Sequence, residues 1–215
     1  MKFRALCMLT LALATLCFAQ EPPAEQPAAA KDNTWKLSIN ANGLLSLNTY
    51  SNNWTGGEAG SVSWAARLDA EAEKQLKAKL NTRNTLKLAF GQTKVQDADS
   101  KKWSAFEKST DQIDIETMWR ITLKGKVDPY AAVRYESQFL DLSDSMRDRY
   151  GNPINLTETV GGAARLVEKT RTTWLARLGA GARQLIDRDR LQEDLTRETD
   201  VTYDGGLEFL TELKA

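Results

Sequence analysis

The stretch "IDIETMWRITL", Ile113–Leu123, decides how the rest of the chain is read. Ile113, Ile115, Trp119, Ile121 and Leu123 stand at odd positions, whereas Asp114, Glu116, Arg120 and the following Lys124 stand at even ones. Successive side chains of a strand point to opposite faces, so this alternation predicts one apolar and one charged face. β-Branched and aromatic residues fill the apolar positions, and such side chains suit a pleated surface better than a helix.

The same period runs outward in both directions. In "WKLSINANGLLSLNT", Trp35–Thr49, the apolar residues again fall on odd positions, and the run is longer than a typical soluble strand. Val62, Trp64, Ala66 and Leu68 alternate with Ser63, Arg67, Asp69 and Glu71. Leu80, Leu86, Leu88 and Phe90 alternate with Lys77, Lys79, Arg83 and Lys87, with Thr82 and Asn84 interrupting the apolar face. Further on, Val133 and Tyr135 oppose Arg134 and Glu136, Trp174 and Leu178 oppose Arg177, and Tyr203 and Phe209 oppose Asp204 and Glu208. About seven strands result, many reaching the roughly 9–11 residues that cross a bilayer when tilted. Residues 64–80 and 165–195, taken alone, fit either state, because Trp64, Leu68, Ala72, Leu76 and Leu80 also form a helical stripe. The phase break at "EKQ", Glu73–Gln75, reads as a tight turn between two strands and tips the first stretch towards β-structure.

Connections differ in length. "EKQ" and "KGKVDP" are short, whereas "TYSNNWTGGEAG", "GQTKVQDADSKKWSAFEKST" and "DLSDSMRDRYGNPINLTETVGG" are long. Outer-membrane barrels pair short periplasmic turns with long outer loops, and a sheet that spans lipid must close because its edges cannot be solvated there. The predicted fold is therefore all-β: an antiparallel up-and-down transmembrane β-barrel over residues 35–215, incomplete at its C-terminal end. "RQLIDRDRLQEDLTRE" is longer than a periplasmic turn should be. The predicted lumen carries both signs of charge: Arg67, Asp69, Glu71, Lys77, Lys79, Asp114, Glu116, Arg120, Arg134, Glu136 and Arg177. In a narrow barrel these should pair, since unpaired buried charge is costly, and the lumen is expected to be plugged.

The N-terminus has the pattern of an export signal. Lys2 and Arg4 precede an apolar run, Ala5–Phe18, and Cys17-Phe18-Ala19 predicts cleavage before Gln20. Residues 1–19 are thus expected to be removed, and residues 20–34, rich in Pro, Ala and Glu, to form a spacer. Bulky Leu16 argues against lipid attachment at Cys17. Both cysteines lie in the signal, so no disulfide is expected after cleavage. The 29 basic and 29 acidic residues cancel, which gives no ground for nucleic-acid binding.

The chain has no histidine, which removes the commonest general base and metal ligand. Asp114 and Glu116 share a face and form the only carboxylate pair worth weighing for hydrolysis, yet acids on a barrel wall are more simply lumen ion pairs. Asp97, Asp99 and Asp111 lack the spacing of a calcium loop. No catalytic residue, cofactor or metal is predicted.

Four motifs occur in order: Asn53-Trp54-x-Gly56-Gly57, "LAFGQTK" (Leu88–Lys94), Lys108-x-x-Asp111 and "YAAVRYESQFLD" (Tyr130–Asp141). This succession resembles a family of outer-membrane β-barrels of unknown function found in Bacteroidota, marked by an N-W-x-G-G loop after the first strand. The resemblance covers most of Trp35–Phe139 and, more loosely, Trp174–Leu213; Phe90-Gly91 stands where the family has Tyr-Gly. It implies location in a Gram-negative outer membrane and a barrel architecture, and no catalytic residue is carried over from it; lipid and the barrel-assembly machinery are the expected partners. The expected role is non-enzymatic: structural, adhesive or transport-related, through the long outer loops. The rival readings are a soluble periplasmic β-rich carrier with its apolar face around an apolar ligand, and an enzyme using carboxylates.

Overall fold

A computed structural model describes residues 34–50, 59–123, 125–168 and 172–214. The motif loop with Asn53, Trp54, Gly56 and Gly57, the signal segment and most of the spacer lie outside the described residues. Among the described residues there are ten strands: β1 (Lys36–Asn48), β2 (Ser61–Lys77), β3 (Leu80–Val95), β4 (Glu107–Ile121), β5 (Asp128–Ser137), β6 (Leu140–Asp141), β7 (Arg149–Tyr150), β8 (Ile154–Glu168), β9 (Thr173–Leu191) and β10 (Arg197–Lys214). Eight of them form one sheet in the order β1-β2-β3-β4-β5-β8-β9-β10, every neighbour antiparallel. The short β6 and β7 pair with each other inside the β5–β8 connection.

The described residues of both ambiguous stretches form strands and the turns between them, with no helix among them. The expected turn at Glu73–Gln75 is not a turn: β2 continues to Lys77, and the reversal falls at Ala78–Lys79. The break in alternation has a different cause, a bulge between Gln75 and Lys77 that lets one extra residue into β2. The main sheet has eight strands rather than about seven. The strand that alternation did not reveal is β8, where Glu158 stands on the apolar face and the pair Gly161-Gly162 dilutes the pattern. Adding β8 also reassigns the long β9–β10 hairpin. In an eight-strand meander its turn, residues 192–196, lies at the same end as the long connections 49–60, 96–106 and 138–153. The other end carries only 78–79, 122–127 and 169–172.

Burial along β4 inverts the arrangement of a soluble sheet. Asp114 and Arg120 are each 3 % exposed, whereas Ile115, Trp119 and Ile121 are 43 %, 40 % and 47 % exposed. The register extends this around the sheet: Lys87 faces Asp114, which faces Glu136, while Leu88 faces Ile113 on the opposite surface. The charged face is the concave one. Arg83 of β3 reaches Glu212 of β10 at 2.7 Å, and Arg177 of β9 reaches Glu116 of β4 at 2.6 Å, contacts that only a strongly curled sheet permits.

A small apolar centre sits within the curl: Met118, Tyr130, Ala132, Ala163 and Leu175. Tyr130, Gly161 and Gly179 are register partners across β5, β8 and β9. A Cβ on Gly179 would come within 2.6 Å of the Tyr130 hydroxyl, and one on Gly161 within 2.1 Å of the Leu178 carbonyl oxygen. These glycines are what allow a tyrosine ring to lie inside so tight a bend.

Candidate functional site

Two groups of side chains carry the polar chemistry: the concave face of the sheet and the long-connection end. On the concave face the arginines act as staples between strands. Arg177 grips Glu116 with both terminal nitrogens, at 2.8 and 2.6 Å, and its Nε lies 3.0 Å from Glu208. Arg134 holds Asp114 at 3.0 and 2.8 Å and Glu136 at 3.0 Å. Arg83 donates from one terminal nitrogen to both Glu71, at 3.0 Å, and Glu212, at 2.7 Å. Arg120 lies 3.8 Å from both Glu73 and Asp128. Arg67 and Asp69 pair along β2 at 2.7 and 2.9 Å.

Nine of the eleven charges picked from sequence therefore meet on one face: Arg67, Asp69, Glu71, Asp114, Glu116, Arg120, Arg134, Glu136 and Arg177. Lys77 and Lys79 do not join them; Lys77 ends β2 and Lys79 lies in the turn, its carbonyl accepting the Thr122 amide at 2.7 Å. Sequence reading passed over Asp128, placed in a turn motif, and Arg165, hidden in the unrecognised β8. Asp114 and Glu116 each have both carboxylate oxygens engaged by an arginine as charge-assisted ion pairs. Burying so many charges is tolerable because the signs interleave: breaking one buried pair typically costs about 3–5 kcal/mol, since its partner is stranded.

Two cavities open within this face. The larger, about 460 Å³, is lined by residues including Ser38, Asp69, Lys87, Asp114 and Arg134. The smaller, about 220 Å³, is lined by Lys36, Glu73, Arg120 and Arg165 among others. Glu71, Arg83, Leu175 and Glu212 line both.

At the long-connection end the chain is pinned by two built networks. Lys108 Nζ contacts Asp111 at 3.2 Å, Gln138 at 2.8 Å and the Leu140 carbonyl, while Asp111 accepts the Phe139 and Leu140 amides at 2.6 and 2.9 Å. The residues of the Lys-x-x-Asp motif thus hold the end of the segment that closes with Gln138-Phe139. Phe139 in turn packs edge-on against Phe90, 6.1 Å between centroids. Beyond it, Arg149 joins Asp141 and Asp187 at 2.7 and 2.8 Å, and the buried Asn152 donates to the same two carboxylates. Burial pushes the Asp141 carboxyl up, but hydrogen bonds from Asn152 and Ser143 and the nearby Arg149 leave it below its usual value. Through Arg149 and Asn152 the segment "DRYGNP", residues 148–153, is part of this small polar core. Asp97 accepts the Asp99 and Ser100 amides within its own turn and does not share a site with Asp111.

Fold and face together define an all-β protein whose eight-strand antiparallel meander keeps apolar side chains outside and paired charges within. Residues 45–141 match the model of a family described as a protein of unknown function, DUF3078; the match runs from the end of β1 to β6 and takes in the Lys108–Asp111 clamp. No curated protein and no solved structure matches the chain.

Proposed function

We propose that the sheet closes between β1 and β10 into an eight-stranded barrel in the bacterial outer membrane. Its lumen is plugged by ion pairs, and its long loops do non-enzymatic structural, adhesive or transport-related work outside. The observation that carries this reading is the inverted burial: large apolar side chains face outward all round the sheet, from Ile39 at 73 % exposure to Leu207 at 85 %. A water-soluble monomer rarely presents so continuous an apolar surface. From Leu37 to Leu47 the outer face of β1 covers about 33 Å at about 3.3 Å per residue, and a tilt of about 40° gives a rise of about 25 Å, the height of a barrel's apolar band.

Aromatic residues support the same placement. Trp35, Trp119 and Trp174 lie towards the short-connection end and are 46 %, 40 % and 40 % exposed. Trp64, Phe90 and Phe139 pack together towards the other end. Two such girdles are what the two membrane interfaces favour. Closure is supported by Ser38 and Asn40 of β1, which line one cavity with Leu210 and Glu212 of β10. Left open, two long edge strands would invite aggregation.

The carrier alternative requires the apolar face to turn inward around its ligand, opposite to the inverted burial. Fractionation of the producing cells tests the choice. The protein should remain in the outer-membrane fraction after urea extraction and enter solution only with detergent. Recovery in the periplasmic fraction without detergent contradicts the barrel.

A further inference from the structure

We infer that the lumen is a two-chambered path for small ions, closed at one place by Arg83; this rests on the barrel reading. The two cavities of the concave face are not separated by a thick plug. They share four wall residues, Glu71, Arg83, Leu175 and Glu212, so the partition between them is one ion-pair cluster and one leucine. Both cavities keep charged side chains accessible to solvent. On the side of the larger cavity, the side chains of Lys87 and Arg134 are 45 % and 34 % exposed; on the side of the smaller one, Glu73 and Arg165 are 29 % and 34 % exposed. At the partition Arg83 is 16 %, Glu71 21 % and Glu212 29 % exposed.

The way Arg83 is held suits a movable gate. One terminal nitrogen makes both bonds, to Glu71 on β2 and Glu212 on β10, and the buried Nε has no hydrogen-bond partner among the described residues. A guanidinium gripped in a two-bond fork on both sides would be hard to displace; one held by a single nitrogen can rotate away with fewer bonds broken. When it does, the charged side chains remaining at the partition are Glu71 and Glu212, so the path should admit small cations in preference to anions. Arg177 and Arg134, each with two bonds to one carboxylate, stay as wall.

The test is ion conductance of the whole protein inserted in planar lipid bilayers, with insertion verified first by protection from external protease. The unaltered protein should be nearly silent. Arg83→Ala should raise open probability at least about tenfold, since a tenfold change corresponds to about 1.4 kcal/mol removed from the closed state. It should also make the current cation-selective, and Glu212→Gln should act in the same direction more weakly. Arg183→Ala, which breaks the exposed Arg183–Asp204 pair instead, should leave the current unchanged. Inserted Arg83→Ala protein as silent as the unaltered one overturns the gate while leaving the barrel in place. Large steady pores in the unaltered protein also overturn it. A chain that never inserts removes the barrel reading itself, and the gate with it.

Discussion

Gly161 and Gly179 show how far single residues set this sheet's curvature. A methyl group at Gly161 would meet backbone atoms of Leu178 and Gly179, which cannot move aside, whereas one at Gly43 meets nothing within 4 Å. Gly161→Ala should therefore destabilise the fold by about 1–3 kcal/mol, the usual cost of overpacking, while Gly43→Ala should be neutral or slightly favourable. Urea midpoints of the two variants in detergent check this; equal midpoints would mean that Gly161 is not a close-approach position. A second residue-scale prediction concerns Asp144 in the β6–β7 connection. Its hydrogen bond from Arg197, helped by the Met146 amide, holds its carboxyl at about 2, down from 3.8. Because the folded value is the lower one, the contact stabilises fully above the ordinary carboxylate range and is lost as pH falls through about 2. A carboxyl-carbon NMR titration should give that low midpoint in the intact protein and an ordinary one in Arg197→Gln.

At the scale of elements, the end of the β5 segment depends on two side chains of β4. Asp111, its side chain 2 % exposed, takes the Phe139 and Leu140 amides and neutralises Lys108. Asp111→Ala strands a lysine and two amides together and should cost about 3–5 kcal/mol. Trypsin should then cut the 138–153 connection faster under native conditions. An unchanged cleavage rate would show that the clamp is not what holds it. Sequence reading found Lys108 and Asp111 as a motif without a role, because their partners are backbone groups some thirty residues on, at the far end of a hairpin. The strands were legible wherever apolar and polar residues alternated over a long run, as in β1, β4 and β10. They were not legible where a bulge shifted the phase, at Gln75–Lys77, or where glycines and an outward Glu158 diluted it, in β8. One missed strand then displaced a whole hairpin to the wrong end.

For the whole molecule, the sequence carried the pairing of faces but not which charges would meet. Period two placed Arg83, Arg177 and the glutamates on one surface. Only curvature brings β3 against β10 and β9 against β4, and curvature is set by glycines and bulges that leave little trace in the alternation. The charged face is thus best described as a set of staples across the concave side of the sheet, with a small apolar centre around Met118 and Tyr130 that no pattern announced. The central claim is that the apolar face of this curled sheet meets lipid. It is tested most directly by a nitroxide scan along β1 from Leu37 to Leu47 in reconstituted vesicles, reading collisions with oxygen and with a water-soluble paramagnet. Odd positions should be oxygen-accessible and shielded from water, and even positions the reverse, with a period of two over the whole stretch. The opposite phase, or no alternation at all, would contradict a barrel that faces lipid with its apolar side.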